Sequence, residues 1–265
     1  MASDLAPKSL FSLQGKHGLV TGGASGLGRM IAQALLEAGA SVTLTSRKAT
    51  LAQEAAKQLS ELGNCDWIAA DLAEADAVEA IVDHVRERPG RLDILVNNAG
   101  RTWGAPVESF PDKAWNSVLA VNLQAPFKLV QQFLPLLAES GSAQAPARII
   151  NIGSVAGKVV EPLQAYSYSA SKAAIHQLTR QLASDLAPRH ITVNAIVPGY
   201  FPTSMTGHLQ SDEGAPKGML DGRIPLARFG QIDDIAGAII FLASRAGAYV
   251  TGAELVVDGG VSGCR

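Results

Sequence analysis

Cysteine is nearly absent: Cys65 and Cys264 are the two in 265 residues. They are too few and too far apart for a disulfide framework or a metal site, and they read as free thiols in a reducing cytoplasm. Charge of either sign is sparse. Lys and Arg number 22 against 24 Asp and Glu, for a net charge of −2. No like-charge block is long enough to hold nucleic acid or a membrane surface. No apolar stretch reaches ~18 residues without a charge, so no membrane span is expected. Met1 to Gly15 lacks a basic segment followed by an apolar run, so residues 1–14 read as a lead rather than a secretory signal. What is abundant is apolar: 47% hydrophobic residues against 17% charged mark a compact globular chain. A single α/β domain of this length can bury a large core.

Short apolar runs alternate with longer helical patterns. Strands are expected at 17–20, 42–45, 67–70, 94–96, 148–152, 192–197 and 255–257. Helical spacing fills 27–38, 50–62, 75–87, 112–138, 165–187 and 232–244. In the first of these helices Leu27, Ile31, Ala34, Leu35 and Ala38 share a face, and Gly39 provides the stop. Such alternation predicts right-handed crossovers and a seven-stranded parallel sheet with helices on both faces, in one domain. Residues 200–225, rich in Gly, Pro, Ser, Asp and Met, are too long for an ordinary connection. They read as a lid or substrate loop, with Gly199, Gly207, Gly214 and Gly218 as its flexible points.

Between the first strand and first helix stands Thr21-Gly22-Gly23-Ala24-Ser25-Gly26-Leu27-Gly28. Glycines there let the backbone turn tightly beside a pyrophosphate, and the helix N-terminus offers free N–H groups and a positive dipole end. The spacing is Gly-x-x-x-Gly-x-Gly rather than the commoner dinucleotide fingerprint, and a plain strand-to-helix turn would also fit. The second strand ends in Ser46-Arg47-Lys48. A free ribose hydroxyl is usually met by a carboxylate there, whereas Arg47 can pair with a 2′-phosphate; a solvated basic pair is the alternative. Asp71-Leu72 follows the third strand, where a carboxylate and backbone can hold an adenine edge. Asn97-Asn98-Ala99-Gly100 ends the fourth, on the side where such sheets bind ligands.

Ser154 ends the fifth strand, and Tyr168 and Lys172 lie four residues apart on one helix face. A free tyrosine, with a pKa of ~10, is a poor acid–base group. An ammonium at ~4 Å, in an effective dielectric of ~20, favours the phenolate by ~4 kcal/mol, or roughly three pKa units. Ser154 can hydrogen-bond a substrate oxygen. Tyr166, six residues from Lys172, falls on another face and reads as packing or rim.

Taken together, TGGASGLG at 21–28, NNAG at 97–100, Ser154, YSASK at 168–172 and Pro198-Gly199 resemble the short-chain dehydrogenase/reductase family, over residues 11–261. The resemblance implies one extended Rossmann domain and a catalytic set of Asn122, Ser154, Tyr168 and Lys172. It implies that Asn122 holds a water joining Lys172 to solvent. It also implies that Phe201 and Thr203, beyond Pro198 and Gly199, contact the nicotinamide; Pro202 before Thr203 departs from the family's freer loop. The expected cofactor cradle is Gly22, Ser25, Gly26, Leu27, Gly28, Ser46, Arg47, Asp71, Leu72, Asn98, Ala99, Gly100, Tyr168, Lys172, Pro198, Gly199, Phe201 and Thr203. NNAGRTWGAPVES, INIGSVAG and PGYFPTSMT look like NADPH-dependent 3-oxoacyl reductases of the rhamnolipid-associated type, and the polyol dehydrogenases are similar.

The reading is therefore a cytoplasmic oxidoreductase, a homo-oligomer (a tetramer by family likeness), moving a hydride between NADPH and a small carbonyl or alcohol substrate. NAD-linked oxidation of a sugar alcohol is the alternative; Arg47 weighs against it. A nucleotide-binding regulator without turnover is the reading from another class; it would have no use for all of Ser154, Tyr168 and Lys172. Trp103, Val155, Val159, Phe201, Met205, Leu209 and Met219 either line an apolar substrate pocket or pack in the core.

Overall fold

The computed structural model describes residues 5–161, 163–203, 206, 209, 217–220 and 222–264. A short helix, α1 (Pro7–Leu10), precedes the alternating strands and helices. These are β1 (His17–Val20), α2 (Gly26–Glu37), β2 (Ser41–Ser46), α3 (Ala49–Leu59), β3 (Cys65–Ala69), α4 (Ala77–Glu87) and β4 (Ile94–Asn97). There follow α5 (Asp112–Leu119), α6 (Ala125–Ser140), β5 (Ala147–Ile152), α7 (Tyr166–Leu186), β6 (Ile191–Pro198), α8 (Ile232–Ala243) and β7 (Glu254–Val257).

The strands form one parallel sheet in the order β3-β2-β1-β4-β5-β6-β7. The chain winds outward from β1 to β3, then returns to lay β4 against the free side of β1. That reversal opens a crevice beyond the strand ends. Inner strands are apolar on both faces because helices cover both. Val20, Ile94, Val96, Ile150 and Ile196 point into one cluster with α2, α3 and α8. Their neighbours Leu19, Leu95, Ile149 and Val193 point into the other with α4, α6 and α7.

Two elements differ from expectation. The third strand begins at Cys65 rather than at residue 67. It is an edge strand, half-buried along most of its length, so its apolar pattern understates it. The pattern at 112–138 is a continuous helical path, but a π turn at Ala120–Gln124 separates α5 from α6. The wider turn inserts one extra residue and turns Asn122 inward, a placement common at functional sites.

Candidate active site

The β1–α2 turn is built to bring backbone close to a ligand. A Cβ on Gly28 would lie 2.3 Å from the Gly22 carbonyl oxygen and 2.4 Å from Asn98 Nδ2, so only glycine lets the helix start here. Gly22 and Gly26 have φ of +65° and +51°, a region glycine adopts without strain. Thr21 and Asn98 fasten this turn to β4. The Asn98 and Ala99 amides each donate to Thr21 Oγ1 at 3.0 Å, and Asn98 Nδ2 donates to the Thr21 carbonyl at 2.8 Å. Asn98 is thus spent on holding the turn, and Asn97 on a 2.9 Å bond to Asn151. Asn98 also lines the crevice, and Asn97 Oδ1 is buried with no hydrogen-bond partner among the described residues. At Ser25 no side chain caps α2, so its first amides face the crevice.

One cleft of about 510 Å³ runs across these strand ends. Its walls include Gly22, Ser25, Gly26, Leu27 and Gly28 from the first turn, Ser46 at the end of β2 and Arg47 after it, and Asp71 and Leu72 after β3. Asn98, Ala99 and Gly100 follow β4, and Ser154 follows β5. Tyr168 and Lys172 come from α7, Pro198 ends β6, and Gly199, Phe201 and Thr203 follow it. The expected cradle therefore converges on one place. An uncapped helix start, glycines that a Cβ would jam and a basic side chain at the end of β2 all fit a dinucleotide phosphate. Arg47 is exposed and makes no ion pair among the described residues.

The Lys172 side chain is 4% exposed and donates from Nζ to the Ile152 carbonyl at 2.7 Å. Burial lowers its pKa to about 8. Nζ stands 5.6 Å from the centre of the Tyr168 ring. Burial raises the Tyr168 phenol above its ordinary pKa, and a hydrogen bond with Ser154 pulls the other way. The expected lowering of the tyrosine by the lysine is therefore not what this geometry gives. Desolvation of the phenolate outweighs an ammonium that is itself partly destabilised and bonded elsewhere. A phenol that stays protonated at neutral pH is in the right form to donate.

Asn122 is 2% exposed and sits behind Gly100 beside Lys172. Its Oδ1 accepts from the Arg101 amide at 2.8 Å, and its Nδ2 donates to the Arg101 carbonyl and to Ser171 Oγ, both at 2.9 Å. Both Nδ2 protons are thus taken by protein partners, and Oδ1 keeps one lone pair. Thr203 faces the turn across the cleft, its Cγ2 about where a Cβ on Gly26 would touch, at 3.2 Å. Pro202 does not turn it away.

Val155, Val159 and Leu209 come together with Tyr200, Leu220 and Phe229 in an apolar cluster beyond Ser154. Phe201 instead packs its ring against Gly230 and the α2–α8 core. Trp103 is exposed at the rim, with Lys113 Nζ 5.4 Å above its ring. Tyr166, 39% exposed, stacks edge-on against Phe110, which agrees with a rim residue. Met205, Gly207, Gly214 and the Met219 side chain lie outside the described residues. Sequence reasoning missed Arg101, which lines the cleft with Asp71 3.6 Å from its Nη2, and whose main chain holds Asn122. Only its place directly after Asn-Asn-Ala-Gly could have flagged it. It also missed His176 and Glu254, which stand behind Ser154.

A family model described as enoyl-(acyl carrier protein) reductase matches residues 22–262. The rhamnolipids biosynthesis 3-oxoacyl-[acyl-carrier-protein] reductase of Pseudomonas aeruginosa is 48% identical over 250 residues, 94% of this chain and 97% of that protein. The chain belongs to the short-chain dehydrogenase/reductase family. It is an oxidoreductase of the kind that interconverts CH–OH and keto groups. The solved Pseudomonas aeruginosa RhlG/NADP active-site complex superposes with a TM-score of 0.90 at 46% identity, covering 96% of this chain and 98% of that one. Gluconate 5-dehydrogenase of Gluconobacter oxydans is 36% identical, covering 96% of this chain and 97% of that enzyme. Among the described residues no helix is long and apolar enough to cross a membrane.

Proposed function

We propose that this short-chain dehydrogenase/reductase reduces a 3-oxoacyl or related ketone to the secondary alcohol, with NADPH as the preferred cofactor. The carrying observation is the convergence of Ser154, Tyr168 and Lys172 on the cleft that also holds the glycine turn and Arg47. The kinship with a 3-oxoacyl reductase supports the substrate class. When bound, the nicotinamide supplies the hydride that reduces the carbonyl carbon. The α2 amides at Ser25, Gly26 and Leu27 hold the pyrophosphate, and Arg47 pairs with the 2′-phosphate. Ser154 Oγ steadies the substrate oxygen, and the Tyr168 hydroxyl gives it a proton. Lys172, charged below about pH 8, stabilises the phenolate that this leaves. The raised phenol is protonated at neutral pH, the form that donates to a carbonyl oxygen. Asn122 keeps the Arg101 backbone and Ser171 in place around Lys172.

Val155, Leu209 and Phe229 are buried against Tyr200, Leu220 and Val261 and do not line the cleft, so they read as core packing, and the substrate class rests on the kinship alone. Exposed Trp115 and Phe127 on α5 and α6 support a homo-oligomer, which we read as a tetramer. Free Cys65 and Cys264 support a cytoplasmic, reducing setting. The test is turnover of a panel of 3-oxoacyl thioesters, simple ketones and keto-sugar acids, each with NADPH and NADH. Fastest use of a 3-oxoacyl thioester with NADPH is expected. Faster oxidation of a polyol with NAD would replace this reading with the dehydrogenase one, and absence of any turnover with intact cofactor binding would favour a regulator.

A further inference from the structure

His176 lies on α7 four residues beyond Lys172 and eight beyond Tyr168, so the three share one helix face. Its ring is 4% exposed. Nε2 accepts the Ser154 backbone N–H at 3.4 Å, and Nδ1 stands 3.8 Å from Glu254 Oε2. Gly153 admits the ring: a Cβ there would lie 2.1 Å from Nε2. Glu254 arrives from β7 and is held by Lys158 at 2.7 Å and by Arg180. Burial lowers the imidazole pKa to about 4, so it is neutral at pH 7. With Nε2 accepting, the single ring proton sits on Nδ1, toward the carboxylate. The Ser154 hydroxyl stands near enough to the Tyr168 phenol to pull its pKa down.

We propose that His176 is a positioning residue: it pins the Ser154 backbone to the catalytic helix and so sets the serine hydroxyl against the Tyr168 phenol, while Glu254 selects the tautomer that can do this. The inference rests on the reading of Ser154 as the group that steadies the substrate oxygen. It gives a buried histidine a task that neither cofactor binding nor proton donation requires. It also explains why residue 153 must be glycine, since any side chain there would displace the ring that orients its neighbour.

The test is a double-mutant cycle of H176L and S154A, with kcat, KM and the NADPH Kd measured for each protein. A serine displaced by about 1 Å costs on the order of a hundredfold in rate, so H176L should lower kcat by about that factor. The NADPH Kd should hardly move. In the S154A background H176L should cost at most about twofold more, because the group it positions is gone. H176Q, whose amide oxygen can accept the Ser154 N–H, should keep most of kcat; if H176L does not fold, H176Q and the cycle built on it carry the test. Equal losses from the histidine change with and without Ser154 would overturn the proposal, as would an H176Q enzyme as slow as H176L. Full activity of S154A would instead overturn the role of Ser154, a separate failure of the reading on which this one rests.

Discussion

Lys172→Met is the perturbation that the site's electrostatics specify most closely. Methionine keeps much of the side-chain bulk and removes the charge. The ammonium is 5.6 Å from the Tyr168 ring. A unit charge at that separation, in an effective dielectric of about 20, is worth roughly 3 kcal/mol to the phenolate left after proton donation. That is about a hundredfold in rate if the charge acts only on the product side of the proton transfer. The pH dependence carries the sharper information. The lysine's pKa is lowered to about 8, so the ammonium is present below that pH and lost above it. The phenol, raised above its ordinary value, stays protonated through the same range. Wild-type ketone reduction at saturating NADPH should therefore be flat below pH 8 and fall above it. The lysine, not the tyrosine, sets that break. In Lys172→Met the rate should be about a hundredfold lower at pH 7, and the break near pH 8 should vanish. Steady-state kcat between pH 6 and 9.5 measures both. A mutant that is slow but keeps the same break would refute the electrostatic role.

The other expectations follow from single contacts. Tyr168→Phe should reduce kcat by about a hundredfold or more while NADPH still binds, since the phenol is the acid; Tyr166→Phe, a rim change, should keep most activity, and equal losses in the two would contradict the assignment. Arg47→Ala should weaken NADPH by about tenfold and leave NADH nearly unchanged. That figure is at the low end because Arg47 is exposed, and added salt should narrow the gap; parallel losses for both cofactors in titrations would show that the basic pair was misread. Gly28→Ala places a methyl 2.3 Å from the Gly22 carbonyl, so the turn must open. It should cost roughly 1–3 kcal/mol of stability in denaturant unfolding and weaken binding of either cofactor; an unchanged midpoint with unchanged binding would mean that the turn is not rigid.

The fold was legible because its signals are local. Apolar runs on buried parallel strands, helical spacing between them and glycine at the β1–α2 turn each declare themselves within about ten residues. The cleft was legible for a related reason. Residues that follow strand ends must gather on one edge of a parallel sheet, so Ser46, Asp71, Asn98, Ser154 and Pro198 are brought together by topology alone. The start of β3 was less clear, because an edge strand need not be apolar. The π turn was hidden altogether. Its apolar spacing runs on from Leu119 to Ala125, and one extra backbone residue leaves no mark in side-chain chemistry.

What stayed out of reach is how polar groups divide their partners. Asn98 is expected at the cofactor and does line the cleft, and its Nδ2 also holds the Thr21 carbonyl. Asn122 is expected to hold a water, and its amide also holds Arg101 and Ser171. Lys172 was expected to lower the tyrosine, yet Ile152 takes one of its hydrogen bonds and burial reverses the sign for the phenol. In each case a residue in the expected place carries a structural task as well, because a buried donor or acceptor must be satisfied by whatever lies nearest. His176 shows the same limit from the other side. A histidine on an amphipathic helix offers no cue in itself, and its partners Ser154 and Glu254 lie 22 and 78 residues away in sequence, at the ends of two different strands. Motifs name the groups that touch ligands. The groups that aim them are set by which strands the sheet makes neighbours, and here the adjacency of β5, β6 and β7 brings a carboxylate on the last strand behind Ser154.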